Sequence, residues 1–214
     1  KHIDRFQSAR LSDEEYSKLC KYIKKNNFSL VITPFDENSV AKAIKNKVDI
    51  LKIASCSNTD WPLIEKIAKT KKPVICSTGG LDIDGIDNIC NFFNHRSIPL
   101  AILHCISIYP TDNIKSFNLR FINKLQERYP NVVVGYSGHE RGISVSLGAV
   151  ALGAVVIERH FTFDRNMEGS DHSASLEPNQ FKSLVLGIRE IEQALGDGSE
   201  RAISQGEMIN RENL

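Results

Sequence analysis

The residues best able to do chemistry are two histidines at matching places in consecutive segments, with a carboxylate beside one of them. His139 lies just past Val132 to Tyr136 and His160 just past Ala154 to Glu158, each an apolar, β-branched run too short for a helix. The residues between, from about Gly142 to Leu152, read as a helix joining the two strands. A strand, a crossover helix and a second strand form a βαβ unit, whose strands run parallel and lie about 4.8 Å apart where adjacent. Both imidazoles then open at one rim. Neutral imidazole nitrogens held on rigid strands suit a divalent metal. Glu158, two residues before His160, falls on the same strand face, as outer support for that metal or as an acid/base. Taken singly, His139 reads as a turn residue and His160 as a strand-end histidine bonded to backbone. Their pairing is what points to metal.

A second signal is cationic. Lys52 sits inside the apolar run Asp49 to Ala54, where an ammonium is costly unless it snorkels to the rim or meets an anion such as phosphate. The run Pro73 to Cys76 leads into Ser77-Thr78-Gly79-Gly80, a hydroxyl and glycine turn ahead of a helix. Such a turn presents N–H groups and hydroxyls to an anion at a helix N-terminus. Each hydroxyl also suits a plain cap or turn bond.

The elements that must position these groups follow from capping and periodicity. Ser12, with Glu15 three residues on, makes a capping box ahead of a helix that ends in lysines. Phe28 to Ile32 reads as a strand stopped by Thr33-Pro34, Asn38 to Asn46 as a helix, and Asp60 to Thr70 as a helix with Pro62 in its first turn. A strand over Pro99 to Leu103 and helices near Ile83 to Asn94, Asn118 to Tyr129 and Glu177 to Leu195 bring the total to six strands, each followed by a helix. There is no hairpin signal and no glycine fingerprint for a dinucleotide.

Strict alternation of this kind specifies a parallel sheet, open or closed into a barrel. Polar residues decide between them. Thr33, Lys52 with Ser55, Ser77 with Thr78, Ser107 with Tyr109, Ser137 with His139, and Glu158 with His160 fall at the carboxyl ends of all six strands. An open sheet gathers its ligand groups at one switch point, whereas a barrel collects them from every strand. The expected fold class is therefore α/β, a (β/α)8 barrel. Closure takes eight strands and the chain begins on a helix, so two strands are expected to precede Lys1.

Composition sets the outer limits. With 214 residues and 41% hydrophobic content the chain can bury a full core in one domain, although α/β barrels usually need about 250 residues. Lys and Arg number 27 against 26 acids, a net charge of +1 that provides no field for nucleic acid or an anionic membrane. No stretch approaches the roughly 18 apolar residues of a membrane span, and KHIDRF lacks the apolar core of a signal peptide. Five cysteines without CxxC spacing fit reduced thiols in a cytoplasmic protein. Cys20, Cys76 and Cys90 read as small core residues, and His104 and His172 as structural.

Set in order, these pieces resemble the sialic acid (N-acetylneuraminate) synthase family, NeuB-type. The matching segments are DRFQSARLSDEEY, TPFD (Thr33 to Asp36), KIAS (Lys52 to Ser55), STGG (Ser77 to Gly80), HCISIYP (His104 to Pro110), GYSGHERGI (Gly135 to Ile143), ALGAVVIERHFT (Ala151 to Thr162) and GSDHSASLEP (Gly169 to Pro178). They are collinear and cover nearly the whole chain. The resemblance implies a (β/α)8 barrel lacking its first two strands over residues 1–196, and a linker over 197–214 toward a C-terminal antifreeze-like domain. It implies a transferase that condenses phosphoenolpyruvate with an N-acyl-mannosamine, releasing phosphate by C–O cleavage, and a homodimer for the full-length protein. By the same resemblance His139 and His160 hold Mn2+ or Mg2+, and Glu158 supports the metal shell. Lys52, Ser55, Ser77 and Ser137 cradle the phosphate, with Thr33 lining that pocket, while Ser107, Tyr109 and Asp171 face the sugar.

The chain also departs from the family pattern. Ser57 stands where an acid is usual two positions after the serine of KIAS, Ile106 where Thr is common, and Gly138 where many bacterial members carry Asp. The family's first two strands bring an acid and a further phosphate-binding lysine. Close alternatives are N-acetylneuraminate-9-phosphate, legionaminate and pseudaminate synthases. Another class is a catalytically incomplete barrel that only binds phosphorylated ligand, since an unclosed sheet exposes two edges. Phosphoenolpyruvate-dependent synthases of seven- or eight-carbon sugar acids use a different metal-ligand set, typically with a cysteine, and no such match is present.

Overall fold

The computed structural model describes residue 7 and residues 10–213; the KHIDRF start and part of the DRFQSARLSDEEY segment lie outside the described residues. The capping box forms as read. Ser12 Oγ accepts the Glu15 N–H at 3.2 Å, and the Glu15 carboxylate takes the Ser12 N–H at 2.8 Å. These bonds satisfy donors that the first turn of α1 (Asp13–Lys25) would leave open. Acids in that first turn and lysines in the last complement the helix dipole.

The chain then alternates strand and helix: β1 (Val31–Ile32), α2 (Glu37–Lys45), β2 (Ile50–Ile53), α3 (Trp61–Lys69), β3 (Val74–Ser77), α4 (Ile83–Asn94), β4 (Leu100–Cys105), α5 (Phe121–Arg128), β5 (Val133–Gly138), α6 (Ser144–Ala151) and β6 (Ile157–Arg159). Two further helices are α7 (Pro178–Leu195) and α8 (Gln205–Glu212). The short α8 falls in the stretch read as linker, capped by Ser204 and Glu207, with no buried residue. The six strands pair in sequence order, every neighbouring pair parallel.

The sheet is strongly curled. Lys52 on β2 and Glu158 on β6 are four strand steps apart, roughly 19 Å in a flat sheet, yet Lys52 Nζ lies 3.3 Å from Glu158 Oε1. The result is an incomplete (β/α) barrel, with helices outside and polar groups within. Strand alternation does the sorting. Leu51, Ile53, Val74, Cys76, Ile102, Val134 and Tyr136 join the buried apolar clusters beneath the helices, while the intervening Lys52, Ser77, Ser137 and Glu158 line the mouth. Each aliphatic side chain so buried contributes about 1.5–3 kcal/mol. Cys20, Cys76 and Cys90 are buried free thiols, as expected of core residues.

Element types agree with the sequence reading, and several edges move. The fifth strand runs on through Ser137 and Gly138, which pair with Glu158 and Arg159. The sixth begins only at Ile157, and β1 shrinks to two residues. Among the described residues that strand has a ladder partner on one side alone, β2, and Phe28 lies outside it and exposed.

Candidate functional site

A cleft of about 500 Å³ opens at the carboxyl ends of the strands. Its walls bring together Thr33, Lys52, Ser55, Ser77, Tyr109, Ser137, His139, Glu158, His160 and Asp171. Ser107 stands just behind this lining, its hydroxyl 3.6 Å from Cys105 Sγ. A smaller cleft of about 410 Å³ between α1 and β1 shares only Thr33 with that set, and among the described residues it is lined by no imidazole or thiol.

One side of the mouth carries a lysine, hydroxyls and a carboxylate in one network. Lys52 is 5% exposed, so its side chain is largely withdrawn from water where it lines the cleft. It donates to Ser77 Oγ at 2.7 Å and to the Ile53 carbonyl at 3.3 Å, and pairs with Glu158 at 3.3 Å. Ser137 donates to the same Glu158 oxygen at 2.8 Å. One carboxylate thus collects donors from β2 and β5, and its side chain stays 41% exposed toward the cleft. An anion entering there could take over those donors.

The Ser77-to-Gly80 turn works differently from its sequence reading. Thr78 directs both its N–H and its hydroxyl to the Leu103 carbonyl, each at 3.0 Å. The following helix, α4, is capped by Asp82, which accepts the Gly85 N–H at 2.8 Å. The chain's own carboxylate therefore fills the anion position expected at that helix N-terminus. Asn58 fastens the turn through the Ser77 and Gly79 carbonyls, at 3.1 and 3.0 Å. Any side chain on Gly79 would strike the Ser55 and Ser107 hydroxyls, so glycine lets three strand ends close together.

The other side carries the imidazoles. The His139 and His160 ring centroids are 5.2 Å apart, and Tyr109 packs on both, at 4.1 and 5.6 Å. His139 Nδ1 lies 2.8 Å from the Ile106 carbonyl. A carbonyl only accepts, so Nδ1 carries the proton and Nε2 keeps its lone pair. Burial disfavours a charged His139, but Cys105, the Ile106 carbonyl and Glu158 outweigh it and raise its pKa. Burial, reinforced by the neighbouring His139, lowers that of His160. Burial alone would push the Cys105 thiol up; interaction with His139, Ser55 and Ser107 brings it down to about 7.

This donor set fits a divalent cation that keeps open positions. Among the described residues no group of three or more His, Cys, Asp or Glu side chains is arranged to hold a metal. Two imidazoles with a carboxylate nearby would leave the remaining coordination sites of such a cation to water or substrate oxygens. His104 and His172 are engaged elsewhere, with the Phe117 carbonyl at 2.6 Å and the Thr162 hydroxyl at 2.8 Å. Asp171 reaches the rim from the turn after β6.

The sequence reading did not place Phe35, Cys56, Cys105 or Arg159 at this cleft, though all line it. Cys105 could have been found from position, since it ends β4 two residues before Ser107. Arg159 gave no local signal, because its partner Glu140 lies on another segment.

A parallel barrel sheet with a lysine, hydroxyls and paired imidazoles at the carboxyl ends of its strands belongs to the ligand-binding (β/α)-barrel class. The NeuB family profile matches residues 1–200. An uncharacterized protein of Methanocaldococcus jannaschii is 44% identical over 93% of the chain and 59% of its own length. The N,N'-diacetyllegionaminic acid synthase of Campylobacter jejuni is 40% identical over 95% of the chain and 61% of its own. The solved N-acetylneuraminic acid synthetase from Leptospira borgpetersenii superimposes with a TM-score of 0.88 at 35% identity, covering 97% of this chain and 72% of that one. The chain belongs to the NeuB family. It spans about three fifths of the length of these two curated relatives. Among the described residues no helix is long and apolar enough to cross a membrane.

Proposed function

We propose that the chain is the barrel part of a nonulosonate synthase that joins phosphoenolpyruvate to the open-chain form of an N-acyl-mannosamine. The observation that carries this reading is the shared mouth: an imidazole pair 5.2 Å apart faces a lysine–hydroxyl–carboxylate network across one cleft. The synthases among its relatives supply the substrate class.

In the reaction a bond forms between C3 of phosphoenolpyruvate and the aldehyde carbon, and the aldehyde oxygen takes a proton. Water adds at C2, and phosphate leaves as the C2–O bond breaks, so C2 ends as a ketone. Lys52, Ser55, Ser77 and Ser137 hold the phosphate, with Thr33 beside them; the ammonium supplies charge and the hydroxyls direction. On binding, the ligand replaces Glu158 as acceptor for Lys52 and Ser137, which frees that carboxylate for a proton or for the cation shell. Ser107, Tyr109 and Asp171 orient the sugar. His139 and His160 would hold Mn2+ or Mg2+, which would supply Lewis acidity toward the aldehyde oxygen. His139 would have Nε2 to offer it, because Nδ1 is committed to the Ile106 carbonyl.

The test is phosphate release by the protein encoded by the whole reading frame that contains this chain. Phosphoenolpyruvate and Mn2+ are supplied with N-acetylmannosamine, its 6-phosphate or a 2,4-diacetamido-trideoxy sugar in turn. Turnover with one acceptor names the substrate. Binding of phosphoenolpyruvate without release from any of them would replace the enzyme with a ligand-binding barrel.

A further inference from the structure

The residue after His139 and the residue before His160 meet in a buried ion pair that the chemistry above leaves unused. Arg159 Nη1 lies 2.8 Å from Glu140 Oε1, with the side chains 0% and 3% exposed. Such a dry pair is costly to form and persists only where the remaining lone pairs and protons find partners. Here they do. Glu140 Oε1 also accepts the Ser146 N–H at 3.0 Å and hydroxyl at 2.5 Å, and Oε2 accepts the Tyr136 hydroxyl at 3.0 Å. Arg159 donates to the Gly142 carbonyl at 2.7 Å, to the Glu140 carbonyl at 2.7 Å and more weakly to the Ala174 carbonyl at 3.4 Å. Only Arg159 Nε is left without a partner among the buried side-chain N and O atoms of the described residues.

This network sits where the sheet stops. The last register pair between β5 and β6 is Gly138 with Arg159, so His139 and His160 both lie one residue past the ladder. Backbone pairing does not fix their spacing; the Glu140–Arg159 bridge spans that gap. Through Ala174 it also reaches the turn that follows Asp171. Gly138 makes the room: a Cβ there would strike the Glu140 carboxylate and come within 2.7 Å of Tyr136 Cε1 and 3.0 Å of Arg159 Cδ.

We infer that Glu140 and Arg159 are positioning residues that fix the His139 and His160 imidazoles relative to each other and to the Asp171 turn. The inference deepens the metal assignment and rests on it for one of two readouts. The first readout, on the full chain without metal, is the set of histidine side-chain ¹H–¹⁵N correlations. In Glu140→Gln, and independently in Gly138→Ala, which removes no charge, the His139 and His160 peaks shift or broaden while that of His95 stays in place. The second is Mn2+ titration followed by electron paramagnetic resonance, where affinity falls about 10- to 100-fold in both variants. Circular dichroism confirms that each variant is folded; should Glu140→Gln unfold, Gly138→Ala carries the test. Unmoved His139 and His160 peaks in a folded variant would overturn the inference and leave the pair a purely structural role. Failure of the unaltered chain to bind Mn2+ would instead remove the metal assignment, and the imidazole spectra would still decide the positioning role.

Discussion

Consecutive residues of β6 make two ion pairs of opposite character. Glu158 points into the barrel and meets Lys52 at 3.3 Å, with its side chain 41% exposed to the cleft. Arg159, which also borders the cleft, turns its guanidinium to Glu140 at 2.8 Å, with both side chains sealed. Solvent access and hydrogen-bond saturation separate their roles. The inner pair can trade one partner for an incoming anion, whereas the outer one has its carboxylate oxygens and guanidinium Nη donors already engaged. Under the proposed function, one salt bridge serves as a site and its neighbour, one residue on, as scaffold.

The comparison breaks first at the sealed pair. Arg159→Met leaves the Glu140 carboxylate buried without its cation, and stability is expected to fall by about 3–5 kcal/mol, read by urea denaturation. Lys52→Met is expected to cost less in the same assay, because the carboxylate it leaves unpaired, Glu158, is open to solvent. Its effect belongs in binding: phosphoenolpyruvate affinity, measured by calorimetry, should drop about 10- to 100-fold with loss of a charged hydrogen bond. Equal stability losses in the two variants would erase the distinction.

The smallest effect is expected at an exposed pair far from the mouth. Arg128, aided by Tyr129, holds the Asp87 carboxyl down at about 2, against an ordinary value of 3.8. With the folded value depressed, the stabilisation is complete above 3.8 and is lost as the pH falls through about 2. Asp87→Asn should therefore change neutral-pH stability by less than about 1 kcal/mol and flatten the loss of stability across that acid window, as followed by thermal melts against pH.

Much of this architecture is legible in the sequence because its causes are local. Ser12 and Glu15 announce a cap, Pro62 a first turn, and β-branched runs the strands. His139, His160 and Glu158 are legible because strand alternation and a rim position follow from spacing alone. What escaped notice depends on contacts between segments. Ser137 and Gly138 are weak strand formers that pair because Glu158 and Arg159 lie alongside. Thr78 turns to Leu103 rather than to an anion because β4 passes next to it. Glu140 and Arg159 find each other only once two strands are adjacent.

The convergence of His139 and His160 on one cation is best tested by Mn2+ binding to the intact chain and to His139→Ala and His160→Ala, read by electron paramagnetic resonance. The expected result is one bound Mn2+ per chain, lost in either variant. Retention of that Mn2+ in both variants would contradict a site shared by the two imidazoles.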